Sequence, residues 1–222
     1  MDRDRLSQIK ANLRSKRVDV RKNALDELAT VDSDIALPIL QDLATEKDFG
    51  LRCMAMMGFR NHLTDASFNY LQEILEKEQD SSVLAEAANS IFDFGERAIA
   101  PLEDLFDRCD HWLVRHTIIA VLAESEDPPV LLRIGKKAIA QEELMTRETG
   151  ILALSKLLDT SLKEVALAIF TELAVAENWR MRWRTAIALT SSQDPKAKQL
   201  LARLQQDKNH RVVAAALESQ SE

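Results

Sequence analysis

The sequence predicts an all-α fold, an α/α superhelix (α-solenoid) of six to seven stacked helix pairs, and three observations carry that prediction. Glycine and proline number five each in 222 residues, and aromatics are 5% of a chain rich in Ala and Leu. No window alternates apolar and polar residues as a half-buried strand would. A short helical pattern also returns at a nearly constant interval, the mark of a repeat architecture.

The pattern is VRKNALDEL (20–28), LRCMAMMGF (51–59), VLAEAANSI (83–91), VRHTIIAVL (114–122), TRETGILAL (146–154) and MRWRTAIAL (181–189). Its second position is Arg21, Arg52, Leu84, Arg115, Arg147 and Arg182, at spacings of 31, 32, 31, 32 and 35. A looser seventh copy begins near Arg211. In the first copy Val20, Ala24, Leu25, Leu28 and Val31 share one helical face. Second apolar helices are expected at 33–46, 64–78, 96–107, 127–140, 160–176 and 194–206. Asp127-Pro128 and Asp194-Pro195 place an N-cap acceptor before a first-turn proline. Ser161-Leu-Lys-Glu164 reads as a capping box. Pro38 and Pro101 fall in or near the first turns of their helices, where they bend a helix or delay its start.

A unit of two short helices cannot bury its apolar face alone, so neighbouring units must stack. One domain over residues 1–222 is expected, with a basic capping helix at 1–16 and repeats starting near 17, 48, 80, 111, 143, 178 and 207.

The D-x-x-VR-x-x-A-x-x-x-L pattern, with a proline in the other helix, resembles HEAT repeats. The short period and ERAIAPLEDLF (96–106) resemble the HEAT-like repeats of phycobilisome lyases. That resemblance spans essentially the whole chain. It implies a protein-binding adaptor or chaperone acting on phycobiliproteins, in bilin attachment or removal or in phycobilisome assembly or turnover. It also implies a phycobiliprotein or a second HEAT-repeat subunit as partner, and a concave groove lined by the second helix of each pair. The residues themselves call for no cofactor; the resemblance allows a bilin chromophore held transiently. In HEAT-like families the recurrent Arg forms a polar ladder between repeats, so Arg21, Arg52, Arg115, Arg147 and Arg182 are assigned to structure.

Charge bears on the alternatives. The net charge is −7, yet residues 1–22 hold eight Lys/Arg against three acids, a net of +5 that leaves −12 on the remainder. Phosphate backbones are bound through accumulated positive charge, so nucleic acid is not the expected ligand. The alternative of a DNA-alkylation-repair protein built from HEAT-like repeats has only Trp183 and Arg184 in its favour; a general scaffold unrelated to bilins is the other alternative. MDRDRLSQIK lacks the apolar centre of a signal peptide, no apolar run approaches the ~18 residues of a membrane span, and Cys53 and Cys109 lie far apart. A cytoplasmic protein is expected.

The stretch NWRMRWRTA (178–186) looks like a nucleic-acid surface, with two of three tryptophans and three arginines within six positions. Comparison across copies divides it. The slot two residues before the Val slot holds Val18, Phe49, Ser81, Trp112, Leu144 and Trp179. It is mostly apolar, which assigns Trp112 and Trp179 to the core. Trp183 and Arg184 fall in slots that are mostly polar or small, and read as an exposed contact patch. The slot of Asp26, Met57, Asn89, Ala120, Leu152 and Ile187 points away from the core face. The expected partner-binding face is therefore Met54, Met57, Glu86, Asn89, His116, Ala120, Val121, Glu148, Leu152, Trp183, Arg184 and Ile187.

No catalytic residue is assigned. The five glycines are isolated, HExxH and CxxC are absent, and no His precedes a Glu as in HEAT-like metal hydroxylases. Cys109, Asp110, His111 and His116 are near in sequence, but they read as a polar inter-helix turn rather than a metal site or a Cys-His nucleophile.

Overall fold

The computed structural model describes residues 3–218. Fourteen α-helices and no strand occur among them, so the fold is the all-α solenoid of short helix pairs. Packing divides the chain into two compact units, Met1–Ile118 and Ile119–Glu222. The first holds α1 (Arg3–Asn12), α2 (Val18–Leu28), α3 (Ser33–Leu43), α4 (Phe49–Phe59), α5 (Asp65–Lys77), α6 (Ser81–Phe92) and α7 (Ile99–Arg108). α8 (Trp112–Leu122) straddles the division. The second holds α9 (Pro128–Ile139), α10 (Leu144–Ser155), α11 (Lys163–Leu173), α12 (Trp179–Leu189), α13 (Pro195–Leu204) and α14 (His210–Glu218). The recurrent pattern lies on the even-numbered helices.

Four even helices, α4, α6, α10 and α12, are registered by a side-chain N-cap, whereas Arg17 ahead of α2 makes no such bond. Asp48, Asp80, Glu143 and Asn178 accept hydrogen bonds from backbone N–H groups of their own first turns. The Arg slot is four residues past the N-cap: Arg52 after Asp48, Arg147 after Glu143, Arg182 after Asn178. The 35-residue interval does not disturb this register, because a 3-10 turn at Lys156–Asp159 takes up extra residues after α10. Positions seven, eight and eleven past the N-cap are buried in every copy from α2 to α12, as in Ala55, Met56 and Phe59 of α4. Those positions form one stripe at helical spacing.

The odd helices cover that stripe. In the first unit Phe59, Phe106, Leu40, Leu71 and Leu75 are fully buried, and Phe59 stacks on Tyr70 with ring centroids 4.8 Å apart. In the second, Leu154, Leu157, Phe170, Met181 and Leu189 are inaccessible to solvent. Asp127 caps α9 and Asp194 caps α13, with Pro128 and Pro195 as first helical residues, as expected. Pro38 stands inside α3 and Pro101 in the first turn of α7. The expected capping box at Ser161 does not form. α11 starts at Lys163, and Thr160 instead accepts from the Leu162 N–H to close the turn after the 3-10 segment. α9 and α10 approach closely enough to require glycine: a Cβ on Gly150 would lie 2.5 Å from the Ala138 Cβ, and one on Gly135 would lie 2.5 Å from Leu154 Cδ2.

In each unit the even helices pack on one another, α4 on α6, α10 on α12 and α12 on α14, more extensively than do α5 on α7 or α11 on α13.

His62 is 5% exposed behind α4, with Nδ1 3.2 Å from Ser33 Oγ. Burial pushes its pKa below the ordinary 6.5, partly opposed by the Leu28 carbonyl. A depressed folded pKa means the unfolded state takes the proton first. Stability is complete above the ordinary histidine range and is lost as pH falls through the folded pKa. The melting temperature of the protein should fall from pH 7 to pH 5, and that fall should be smaller for His62→Gln.

Candidate functional site

The Arg slot is a clip between consecutive repeats. Arg52 Nη1 donates to the carbonyls of Glu46 and Lys47, in the loop before its own helix, at 3.0 and 3.1 Å. Its Nε donates to Glu78 at 2.9 Å, two residues ahead of the next even helix's N-cap. Arg182 repeats the arrangement. Nη1 donates to Ala176 and Glu177 carbonyls at 2.7 and 2.9 Å, and Nε and Nη2 grip Asp207 at 2.6 and 2.9 Å. Such planar two-point pairing is what a guanidinium offers a carboxylate. The hydrogen bond from Arg182 holds the Asp207 carboxyl below its usual range against burial. Burial alone would raise Glu78, but the N–H groups of Asp80 and Gln79, with Arg52, keep it low.

The ladder is incomplete. The Nε atoms of Arg21, Arg115 and Arg147 are buried without a hydrogen-bond partner. The position two ahead of the next N-cap explains each case. For Arg115 and Arg147 it is Gln141 and Ala176, which bear no charge. For Arg21 it is Glu46, which Arg14 holds at 2.7 Å. Arg115 instead lies with its guanidinium carbon 5.3 Å from the Phe106 ring centre.

The stretch 178–186 is resolved into internal pairing. Asn178 caps α12, Arg182 is clipped to Asp207, and Arg180 and Arg184 both reach one carboxylate. Glu148, 2% exposed, accepts from Arg180 Nε at 2.5 Å and Arg184 Nε at 3.1 Å. All three arginines are thus ion-paired, which leaves no free basic run. Arg184 also lies over the Trp183 ring at 4.6 Å, and the Trp179 and Trp183 rings are 6.5 Å apart.

Several sequence expectations need correction. Trp112 is 48% exposed rather than core, as are Val18 at 68% and Phe49 at 54%. These are the first residues of their helices, two positions before the buried Val slot. Two residues turn a helix by about 200°, so the two slots cannot share a face. Trp179 is half-buried on the edge of the second unit's core. Trp183, expected at the surface, is half-buried and packs on the same core. Glu148 and Trp183 share the position five past the N-cap, which points at the next even helix; that is why Glu148 is buried. Val121, at 6% exposure, belongs to the core, ten past the N-cap, where Gly58, Ser90, Ala153 and Ala188 are also buried.

The remaining face residues lie outward, except Ile187, which packs on the second unit's core as Trp183 does. Met57 is 42% exposed, Ala120 and His116 are exposed, and Met54, Glu86, Asn89, Leu152, Arg184 and Ile187 are half-buried. Asn89 Nδ2 reaches Glu86 at 3.4 Å. Burial, with the Glu86 charge next, pushes the neighbouring Cys53 thiol up to about 11, so it is not ionised at neutral pH. Among the described residues no group of three His, Cys, Asp or Glu gathers as a metal site would require, and no helix is long and apolar enough to cross a membrane.

No protein-family model and no curated protein matches the chain. Solved structures do. The chain is similar to YibA of E. coli, at 14% identity over 99% of this chain and 82% of that one, with a TM-score of 0.63. It is similar to Kap121p at 15% identity, covering 99% of this chain and 29% of that longer one, with a TM-score of 0.53. A complex of CpcE and CpcF of phycocyanin lyase from Nostoc sp. PCC7120 matches at 16% identity over 97% and 86% of the two chains, with a TM-score of 0.49. At these identities the likeness is one of fold, a HEAT-like α-solenoid.

Truncations in the Arg slot should separate. Arg182→Ala should cost about 3 kcal/mol in chemical denaturation, since it strands a buried carboxylate. Arg147→Ala and Arg21→Ala should cost clearly less, since neither has an ion pair among the described residues to lose. Around Glu148, Arg180→Ala and Arg184→Ala should each shift the melting temperature little, because the other guanidinium remains. The double variant should lower it by more than the sum of the two.

Proposed function

We propose that the protein is a non-catalytic binding module, an adaptor or chaperone, whose even-helix face receives a protein partner. One observation carries this reading. The slot nine past the N-cap points outward, yet it is apolar at Met57, Ala120 and Leu152, with Ile187 in the same slot packed partly on the second unit's core. A face that met only water would be polar there, and exposed apolar surface on a soluble helix is the usual mark of a contact site. Each unit carries its own part of that face. Among the described residues no group of metal ligands gathers, and the Cys53 thiol beside the face is raised rather than activated.

For the partner we propose a phycobiliprotein or a second HEAT-repeat subunit, with any bilin held only in passing. The support is the resemblance of residues 96–106 and of the roughly 31-residue period to phycobilisome-lyase repeats. A DNA-repair reading gains nothing, since the arginines of 178–186 are paired with Glu148 and Asp207.

The test is affinity capture from the source cells with three variants that melt like the parent. Met57→Glu and Ala120→Glu place charge on the even-helix face, and Val165→Glu places it on the exposed side of α11. The captured partner should be lost with the first two and kept with the third. Retention by all three would refute the face. Visible tetrapyrrole absorbance in the captured fraction is expected for the phycobiliprotein reading, and its absence would remove that reading alone.

A further inference from the structure

We infer that the cleft between α12 and α14 is a docking site for an acidic segment of a protein partner, one that inserts an apolar side chain and sets a carboxylate against Arg211. This rests on the proposed role of the even-helix face and adds the chemistry of what the face accepts.

The register carries it. At the α10–α12 junction the residue five past one N-cap is Glu148, and it meets the residues two and six past the next N-cap, Arg180 and Arg184. One buried carboxylate there answers two guanidiniums. At the α12–α14 junction the same three positions are Trp183, Arg211 and Ala215. The cation is kept and the carboxylate is gone, replaced by an aromatic ring. Arg211 forms no ion pair among the described residues; its guanidinium carbon stands 5.4 Å from the Trp179 ring centre.

The place left open is a cleft of about 400 Å³. Trp183, Ile187, Ala214 and Ala215 make its apolar floor, with Arg211 and Glu218 on the rim. Nearby, Arg180, Arg184 and Arg211 face Glu148 and Glu218, so one positive charge is in excess on a protein whose net charge is −7. An aromatic platform flanked by Arg is the composition of a binding hot spot. The local sign selects an anionic partner, and a carboxylate brought by that partner restores the pairing that Glu148 supplies one repeat earlier.

The probe is a pair of fluorescein-labelled, amphipathic 15-residue helical peptides with identical leucine faces, one flanked by Glu and one by Lys, read by anisotropy on the full chain. The Glu peptide should bind at least tenfold more tightly than the Lys peptide, with an affinity that falls as salt rises. Arg211→Glu should reverse that preference. Ala214→Phe, at an exposed cleft position, should abolish binding of the Glu peptide by filling the site. Equal or tighter binding of the Lys peptide to the parent protein would overturn the inference, as would Glu-peptide binding that is indifferent to Arg211→Glu or to Ala214→Phe. The two readings fail separately. A partner captured through Met57 and Ala120 whose contact segment is cationic overturns this inference and leaves the adaptor reading. Glu-peptide binding that depends on Arg211, with no loss of capture in the face variants, does the reverse.

Discussion

A helix of nine to thirteen residues has one apolar stripe and cannot enclose it, and the rest of the packing follows from that constraint. Pairing an even with an odd helix covers the stripe on one side only. The next pair must cover the rest, so the even helices lie close against each other and their N-caps fall into register. Close approach then dictates detail, down to Gly135 and Gly150 where α9 and α10 leave no room for a Cβ.

Stacking exposes the loops between helices to one another, and their backbone carbonyls need partners. The Arg four past the N-cap supplies them. At Arg52 and Arg182 the guanidinium reaches the carbonyls of its own loop and the carboxylate of the next, so one side chain satisfies one repeat and fastens it to its neighbour. Where that carboxylate is present and free, at Glu78 and Asp207, the clip closes. Where it is Gln141 or Ala176, the Arg stays and its Nε goes without. One closed clip in each unit, rather than a continuous ladder, locks the register there.

The same register turns a misleading motif into a structural one. Tryptophans and arginines interleaved at 179–184 look like an anion surface when read along the chain. Folded, Arg180 and Arg184 share a carboxylate 32 and 36 residues away, and Arg182 binds one 25 residues ahead. What remains is narrower: apolar residues nine past the N-cap, and Arg211, which has no ion pair among the described residues, on the cleft that Trp183 also lines.

The helix pairs, their period, the caps at Asp127 and Asp194 and the core positions seven, eight and eleven past each N-cap are legible along the chain. Those depend on spacing within a single turn or two, and the hydrophobic and capping signals are local. Packing between repeats settles which guanidinium meets which carboxylate, why Glu148 and Val121 are buried, and why Trp112 is exposed while Trp183 is partly covered. The packing of Glu148 and Trp183, and the pairing of each Arg in the slot, are set by the following repeat, some thirty residues away, and a face position at the edge of a helix is core or surface according to how that neighbour is placed. A slot comparison can see that Glu148 stands where other copies carry Lys22 or His116. It cannot see that two arginines of the next helix close over it.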